Sequence, residues 1–266
     1  MSRPVETAPE SGVDAPALLE EHGDVLSITF NRPAQANAVD LRMAECLGAM
    51  APRVAATRAK VLVLRGRGRA FMAGGDIGRL AAAPEEIGHI LDGFHAFVHA
   101  LANGRASVVA SIQGAVAGGG LGLALNADVI LAAESAKFHF AYRQLGTSPD
   151  GGCTYHLPRI VGSRKAFAML LLGQPMSARD ALASGLVTEV IPDTELAQRT
   201  DAVVARLCGN AAEAAAQTRK LLQASELRTL EQQLDAERAA FLRSSATADF
   251  REGVAAFLGK RTAQFQ

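Results

Sequence analysis

Two hydrophobic rhythms alternate along the chain. Short apolar runs, DVLSITF at 24–30, KVLVLRG at 60–66, SVVASI at 107–112 and DVILAA at 128–133, read as β-strands. Between them apolar residues recur at helical spacing. LRMAECLGAM opens a helix that Asp40 can cap, and Ile87, Ile90, Leu91, Phe94, Val98 and Leu101 mark a long helix between about Pro84 and Ala102. GLVTEVIP at 185–192 is a last short strand. Beyond Asp193 the composition shifts to Ala, Leu, Glu, Gln and Arg without a strand pattern, which predicts helix as far as about residue 260. The order of strand, loop and helix predicts an α/β core of stacked successive units, with function at the strand-to-helix loops. The expected layout is a frayed tail over 1–16, an α/β core over 17–200 and a helical region over 201–266. Such a helical region cannot bury itself alone and needs the core or a neighbouring copy.

The glycines then change the picture. AVAGGGLGLALNAD, residues 115–128, feeds three consecutive glycines, Gly118, Gly119 and Gly120, from a strand straight into an apolar helical pattern. Glycine loses the most freedom on folding, so the run needs a reason. A helix that starts there leaves first-turn amides unpaired and lets an anion approach bare backbone. Tight helix packing explains the same glycines equally well. RAFMAGGDIGRL repeats the theme, with Gly74, Gly75 and Asp76 at the exit from a strand. The spacing is not G-x-G-x-x-G and no Walker lysine follows, so a nucleotide-phosphate loop is disfavoured.

Bulk properties narrow the partners. With 27 basic and 27 acidic residues among 266, the net charge is +0, which favours neither nucleic acid nor an anionic membrane surface. The cysteines, Cys46, Cys153 and Cys208, are three in number and widely spaced, which argues for a reducing compartment, the cytoplasm by default. The first residues lack the apolar stretch of a signal peptide, and no apolar run reaches the length of a membrane span. His95 and His99 form an i,i+4 pair, but no Glu stands between them in the H-E-x-x-H manner and no third ligand is evident, so no metal is expected. Cys153 has no base near it in sequence.

The segments ITFNRPAQANAVD, RAFMAGGDIGRL, SIQGAVAGGGLGLALNADVILAAESAKF, SPDGG, LPRIVGSRKA, MSARDALASGLVTEVI and REGVAAFLGKR, in this order, resemble the crotonase superfamily of enoyl-CoA hydratases and isomerases from about residue 20 onwards. The resemblance implies an α/β spiral of ββα turns with a C-terminal helical trimerisation region, assembled as a homotrimer or a dimer of trimers. It implies an acyl-CoA thioester as substrate and no cofactor beyond its CoA moiety. It places an oxyanion hole at the backbone amides of Gly75 and Gly119. By the same resemblance the CoA arm runs past Ala34 and Ala36, across Ala73, Gly75, Asp76 and Ile77, and is met by Phe257 and Lys260; Arg32, Arg65 and Arg79 are candidates for its phosphates.

The chain departs from the hydratases where the chemistry is decided. The two glutamates with which those enzymes hold and activate water correspond here to Gly122 and Tyr142, which argues against simple hydration. Asp150, in SPDGG, resembles the acid/base aspartate of the ring-1,2-epoxyphenylacetyl-CoA isomerases and related double-bond isomerases. A Pro-Asp-Gly sequence is also a favoured turn, so only the family frame makes Asp150 catalytic. A rival resemblance is to 4-chlorobenzoyl-CoA dehalogenase, with Asp150 as aryl nucleophile and His95 as base, although the tryptophan of that enzyme is replaced by Tyr142. His95 also reads as an ordinary residue of the long helix, facing outward or bonded locally. His139, Tyr142 and Tyr155 are expected to shape the acyl pocket. A third class is a non-catalytic CoA-binding or scaffold relative, which the retained Asp150 disfavours.

Overall fold

The apolar runs read as strands lie side by side in one sheet. The computed structural model describes residues 14–266, and the first 13 residues of the expected tail lie outside the described residues. Strand β1 (Ala17–His22), which the hydrophobic pattern does not announce, pairs antiparallel with β2 (Val25–Phe30) through the turn Gly23-Asp24. Helix α1 (Leu41–Ala56) starts at Asp40, whose carboxylate accepts from the Met43 amide at 2.9 Å, as the sequence predicts.

The chain then repeats a unit. Strand β3 (Val61–Gly66) joins β2 in parallel, and the next segment, β4 (Ala70–Met72), leaves for a second sheet. Helices α2 (Ile77–Ala82) and α3 (Ile87–Asn103) carry the chain back to β5 (Ser107–Ile112), which is followed by β6 (Ala115–Ala117) in the second sheet. Helix α4 (Gly119–Ala124) leads to β7 (Val129–Ala133) and β8 (Lys137–His139), which divide between the sheets in the same way. Helices α5 (Tyr142–Leu145), α6 (Cys153–Val161) and α7 (Ser163–Leu172), strand β9 (Met176–Ser177), helix α8 (Ala178–Ala183) and strand β10 (Glu189–Ile191) complete the core. The larger sheet runs β1-β2-β3-β5-β7-β10 and the smaller β4-β6-β8-β9, so successive units stack into a spiral. Helices α9 (Leu196–Cys208), α10 (Ala212–Ala224), α11 (Leu230–Ser245) and α12 (Ala248–Leu258) fill the region expected to be helical.

Both faces of the larger sheet are covered. Leu62, Leu64, Val108, Ala110 and Ile130 belong to the main core, whereas Val61, Val63, Val109, Leu131 and Ile191 pack with Leu196 and Val204 of α9. That is why KVLVLRG and SVVASI are continuously apolar rather than alternating. Helices α1 and α3 approach at glycines, where a Cβ on Gly93 would lie 2.5 Å from the Ala44 carbonyl oxygen. This close contact fixes the face on which α3 presents Phe94 and His95. No helix of the described residues is long and apolar enough to cross a membrane.

One buried cation fastens the helical region to the core. Arg219 of α10 pairs with Asp128 at 2.7 Å and donates to the carbonyls of Leu101, Ala102 and Gly104, the end of α3, at 2.9, 3.1 and 2.7 Å. Removing one partner of a buried pair strands the other, at about 3–5 kcal/mol. Urea unfolding of Arg219→Met should show a loss of that order, whereas Lys220→Met, exposed on the same helix, should stay within about 0.5 kcal/mol of the parent.

Candidate active site

The segment after β2, NRPAQANAV, is held by one side chain. Asn37 is fully buried; its Nδ2 donates to the carbonyls of Arg67, Ala70 and Phe71 at 3.0, 2.8 and 3.1 Å, and its Oδ1 accepts from the Arg32 amide at 2.8 Å. The network keeps Ala36 and Asn37 in the left-handed region, at φ +51 and +57. A short ladder follows: the Ala73 amide donates to Ala36 O at 3.0 Å, Val39 N to Gly74 O at 2.7 Å and Asp76 N to Val39 O at 2.8 Å. Ala36 and Ala73 are thereby neighbours, as the expected CoA path requires.

This ladder aims the Gly75 amide. The Gly74 carbonyl points at Val39, and the peptide bonds of the described residues are trans. Across a planar trans peptide the next N–H points the opposite way, so the Gly75 amide faces outward from the ladder. It donates to no group among the described residues, and neither does the Gly119 amide.

The two glycine turns lie against each other. Gly74 and Gly118 leave β4 and β6 with φ +89 and +50, conformations that side chains resist. A Cβ on Gly74 would stand 2.9 Å from the Ala117 carbonyl oxygen, and one on Gly118 would stand 3.3 Å from Gly74 Cα. The run of three glycines therefore serves both readings given above. Gly118 and Gly119 shape the site, and Gly120 packs, since a Cβ there would meet the Met72 carbonyl oxygen at 2.4 Å. Helix α4 has only 6 residues, so the individual amides matter more than its macrodipole.

Asp150 reaches the same place from SPDGG. Its Oδ2 lies 3.6 Å from where a Gly119 Cβ would be, and its Oδ1 accepts from the Tyr142 hydroxyl at 2.6 Å. Tyr142 is buried. Burial, then the Asp150 charge, pushes its phenol well above the usual tyrosine range, so it stays neutral and donates. The loop is also held from α3 and from the turn after α4. His95 Nε2 accepts from the Gly151 amide at 3.4 Å, which leaves Nδ1 to carry the ring proton. His95 thus faces neither outward nor its own helix. Asn126 donates to the carbonyls of Gly122 and Gly151 at 2.8 and 3.4 Å and accepts from His156 Nε2 at 3.1 Å. Burial and then Arg159 lower the His156 pKa and favour the neutral ring.

The space at Gly122 is taken. A Cβ there would meet the Gly151 carbonyl oxygen at 2.6 Å and the Asp150 carbonyl oxygen at 2.9 Å, so the loop backbone occupies the room a side chain would need. Cys153 is buried beneath the loop; burial and the Asp150 charge push its thiol up to about 12, which makes it inert as a nucleophile at neutral pH.

Other expected residues lie elsewhere. Tyr155 is 44% exposed beneath the Arg159 guanidinium, 3.7 Å from its ring centroid, and so makes no wall at Asp150. Arg32 is paired with Asp40 at 2.8 Å and Asp76 at 3.3 Å, and Arg65 with Asp201 at 2.5 Å, whereas Arg79 is exposed on α2. Ala34 and Ile77 are also exposed, near Ala36 and Asp76 in the chain. Phe257, 84% exposed, lines a separate groove with Ala211, Phe250 and Phe265, and Lys260 follows it beyond α12. Within the single chain they do not join the glycine turns. Asn37, Asn126 and His156 were not singled out by the sequence; each sits within a quoted motif or beside it, but its partners are known only from the fold.

Two outward amides beside one carboxylate can hold a thioester oxyanion and move a proton next to it. Comparisons with known proteins identify the family. Residues 20–266 match the family model for enoyl-CoA hydratase/isomerase. The chain is 34% identical over 250 residues to the 1,2-epoxyphenylacetyl-CoA isomerase of Escherichia coli K12, covering 91% of this chain and 94% of that one. It is 37% identical over 239 residues to a Rhodobacter capsulatus protein named a probable enoyl-CoA hydratase, covering 90% and 93%. Its fold superposes on the crystal structure of an enoyl-CoA hydratase from Polaromonas sp. JS666 with a TM-score of 0.88 and 30% identity, over 94% of this chain and 99% of that one. Sequence, spiral and paired glycine turns thus converge, and the chain belongs to the enoyl-CoA hydratase/isomerase family.

Proposed function

We propose that this protein is an acyl-CoA isomerase that shifts a double bond through a thioester enolate, with Asp150 as the single acid/base and the amides of Gly75 and Gly119 as the oxyanion hole. The observation that carries the reading is the position of Asp150 Oδ2, 3.6 Å from the Cβ position of Gly119, with no second carboxylate at Gly122 or Tyr142. Hydration needs a held and activated water; the loop backbone fills the first of those positions and a neutral phenol the second. One carboxylate is enough to move a double bond. It takes a proton from C2 of a 3-enoyl ester, the charge spreads over a dienolate whose oxygen the two amides hold, and the proton returns at C4. The double bond ends between C2 and C3, and Asp150 ends as it began.

The name of the Escherichia coli relative supports the isomerase branch, and that of the Rhodobacter relative the wider family. The reading places the CoA arm along Ala34, Ala36, Ala73, Asp76 and Ile77, with Phe257 and Lys260 contributed by the helical region of a neighbouring copy, and requires no cofactor beyond the CoA moiety. A trimer or a dimer of trimers, in the cytoplasm, completes it. The exposed apolar side chains of the helical region, among them Leu222, Leu230, Phe241 and Leu258, supply material for the contact. The dehalogenase-like alternative is less well supported, because His95 Nε2 is engaged by the Gly151 amide.

Three tests follow. With a panel of 3-enoyl-CoA esters in D₂O, wild type should form the conjugated ester, and Asp150→Asn should lose turnover by at least about 10²-fold while binding the ester; an active Asp150→Asn would remove the carboxylate from the mechanism. His95→Gln should retain conversion within about tenfold, since an amide can still meet the loop. Accumulation of a covalent acyl-enzyme in that variant with halobenzoyl-CoA would instead establish the hydrolase. Light scattering should return three or six times the 27.8 kDa of the single chain, and a monomer would refute the assembly.

A further inference from the structure

The mechanism above uses Asp150 but leaves its two oxygens equivalent, and the structure makes them unequal. Oδ1 is capped by the Tyr142 hydroxyl at 2.6 Å, a short charge-assisted bond from a buried phenol. Oδ2 has no hydrogen-bond donor among the described residues and stands 3.6 Å from the Cβ position of Gly119, the residue whose amide would hold the substrate oxygen. Tyr142 sits on the four-residue helix α5, and the intervening turn returns the chain to Asp150. The loop beyond is clamped by Asn126 and His95. A carboxylate fixed at one oxygen, on a backbone whose next residue Gly151 is held at both its amide and its carbonyl, cannot turn about its Cβ–Cγ bond without breaking the bond to the phenol.

We propose that Tyr142 is a positioning residue that makes Asp150 a one-oxygen shuttle: Oδ2 takes the proton from the substrate and the same Oδ2 returns it. The inference rests on the isomerase reading and adds to it a stereochemical and isotopic consequence. While the phenol holds Oδ1, the protonated Oδ2 stays turned toward the dienolate. It cannot swing to solvent and exchange, so a proton removed from C2 is the proton delivered to C4, on one face of the acyl chain. Atoms and charge balance throughout: the C2–H bond breaks as the Oδ2–H bond forms, and the Oδ2–H bond breaks as the C4–H bond forms. The phenol proton remains on Tyr142. Tyr142 touches Asp150 and acts through it, so its loss damages the geometry of the shuttle and leaves CoA-ester recognition intact.

The test follows a 3-enoyl-CoA ester dideuterated at C2 through turnover in H₂O, with the deuterium at C4 of the product read by mass spectrometry. Wild type should carry most of the transferred label to C4. Tyr142→Phe keeps the ring and loses only the hydroxyl; it should lower kcat by about tenfold with KM within about twofold, the scale of one bond to a charged group, and should lower label retention severalfold. A merely structural role would reduce active enzyme without changing the isotopic composition of the product. Equal retention in the two proteins, or a wild-type product that carries solvent protium in place of the transferred deuterium at C4, overturns the shuttle. A second measurement does not depend on turnover. Tyr142 and Tyr155 are the two tyrosines of the chain, so protein carrying [ζ-¹³C]tyrosine gives two signals, and Tyr142→Phe assigns them. Asp150→Asn should move the Tyr142 signal and leave that of Tyr155 in place; an unmoved Tyr142 signal refutes the contact even in a well-folded protein. If wild type converts none of the esters, the isomerase reading fails, and the tyrosine signal alone then decides whether Tyr142 holds Asp150.

Discussion

The contact between Gly74 and Gly118 is the constraint on which the site depends. Strands β4 and β6 are parallel neighbours, so their exits lie side by side, and at those exits the chain turns through left-handed conformations with backbone against backbone. A methyl group on Gly74 would press on the Ala117 carbonyl at 2.9 Å and drive the turns apart. Because the sheets beneath are close-packed, such a displacement would have nowhere to go without moving a core strand. The place of the two outward amides is thus set by topology, and the Asn37 network behind the ladder aims that of Gly75. The spacing of the two glycine turns is here inherited from the spacing of strands.

Asp150 is held by other means. No sheet reaches it, and it depends on Tyr142, Asn126, His95 and the absence of a side chain at Gly122. These bonds are unequal. A neutral hydrogen bond nets about 1 kcal/mol and one to a charged group about 1.5–3 kcal/mol, so the phenol outweighs the 3.4 Å contacts to His95 and Asn126. A buried phenol also needs a partner of its own. The interaction that orients the carboxylate is therefore the one that satisfies the tyrosine.

How much of this could be read from residues alone follows from the same physics. KVLVLRG and SVVASI are unmistakable because burial on both faces demands apolar residues throughout, and α3 because one helical face meets α1. Strand β1 is an edge whose Glu20, Glu21 and His22 are exposed, and its sequence carries no such imprint. Strands β4, β6 and β8 have three residues each, too few for a period, and β4 and β6 sit in Gly-rich stretches that read as loops. The glycine pair and Asp150 were visible as motifs. Their juxtaposition was legible only through the family resemblance, because it joins residues from different turns of the spiral, and the Tyr142 bond needs a turn geometry that the intervening residues do not announce. His95 shows the same limit, since its partner Gly151 is 56 positions away.

The departures at Gly122 and Tyr142 form one linked change with Asp150. A glutamate at 142 is shorter than the tyrosine and, when ionised, only accepts, so it would leave Asp150 Oδ1 without the donor that the phenol supplies at 2.6 Å. A glutamate at 122 would have its Cβ 2.6 Å from the Gly151 carbonyl oxygen and would expel the loop that delivers Asp150. In this scaffold, then, a side chain at 122 and the loop that carries Asp150 exclude each other on steric grounds, and a glutamate at 142 removes the donor that fixes the aspartate. A neutral donor at 142 and no side chain at 122 are what a lone carboxylate at 150 requires, and this chain meets both requirements.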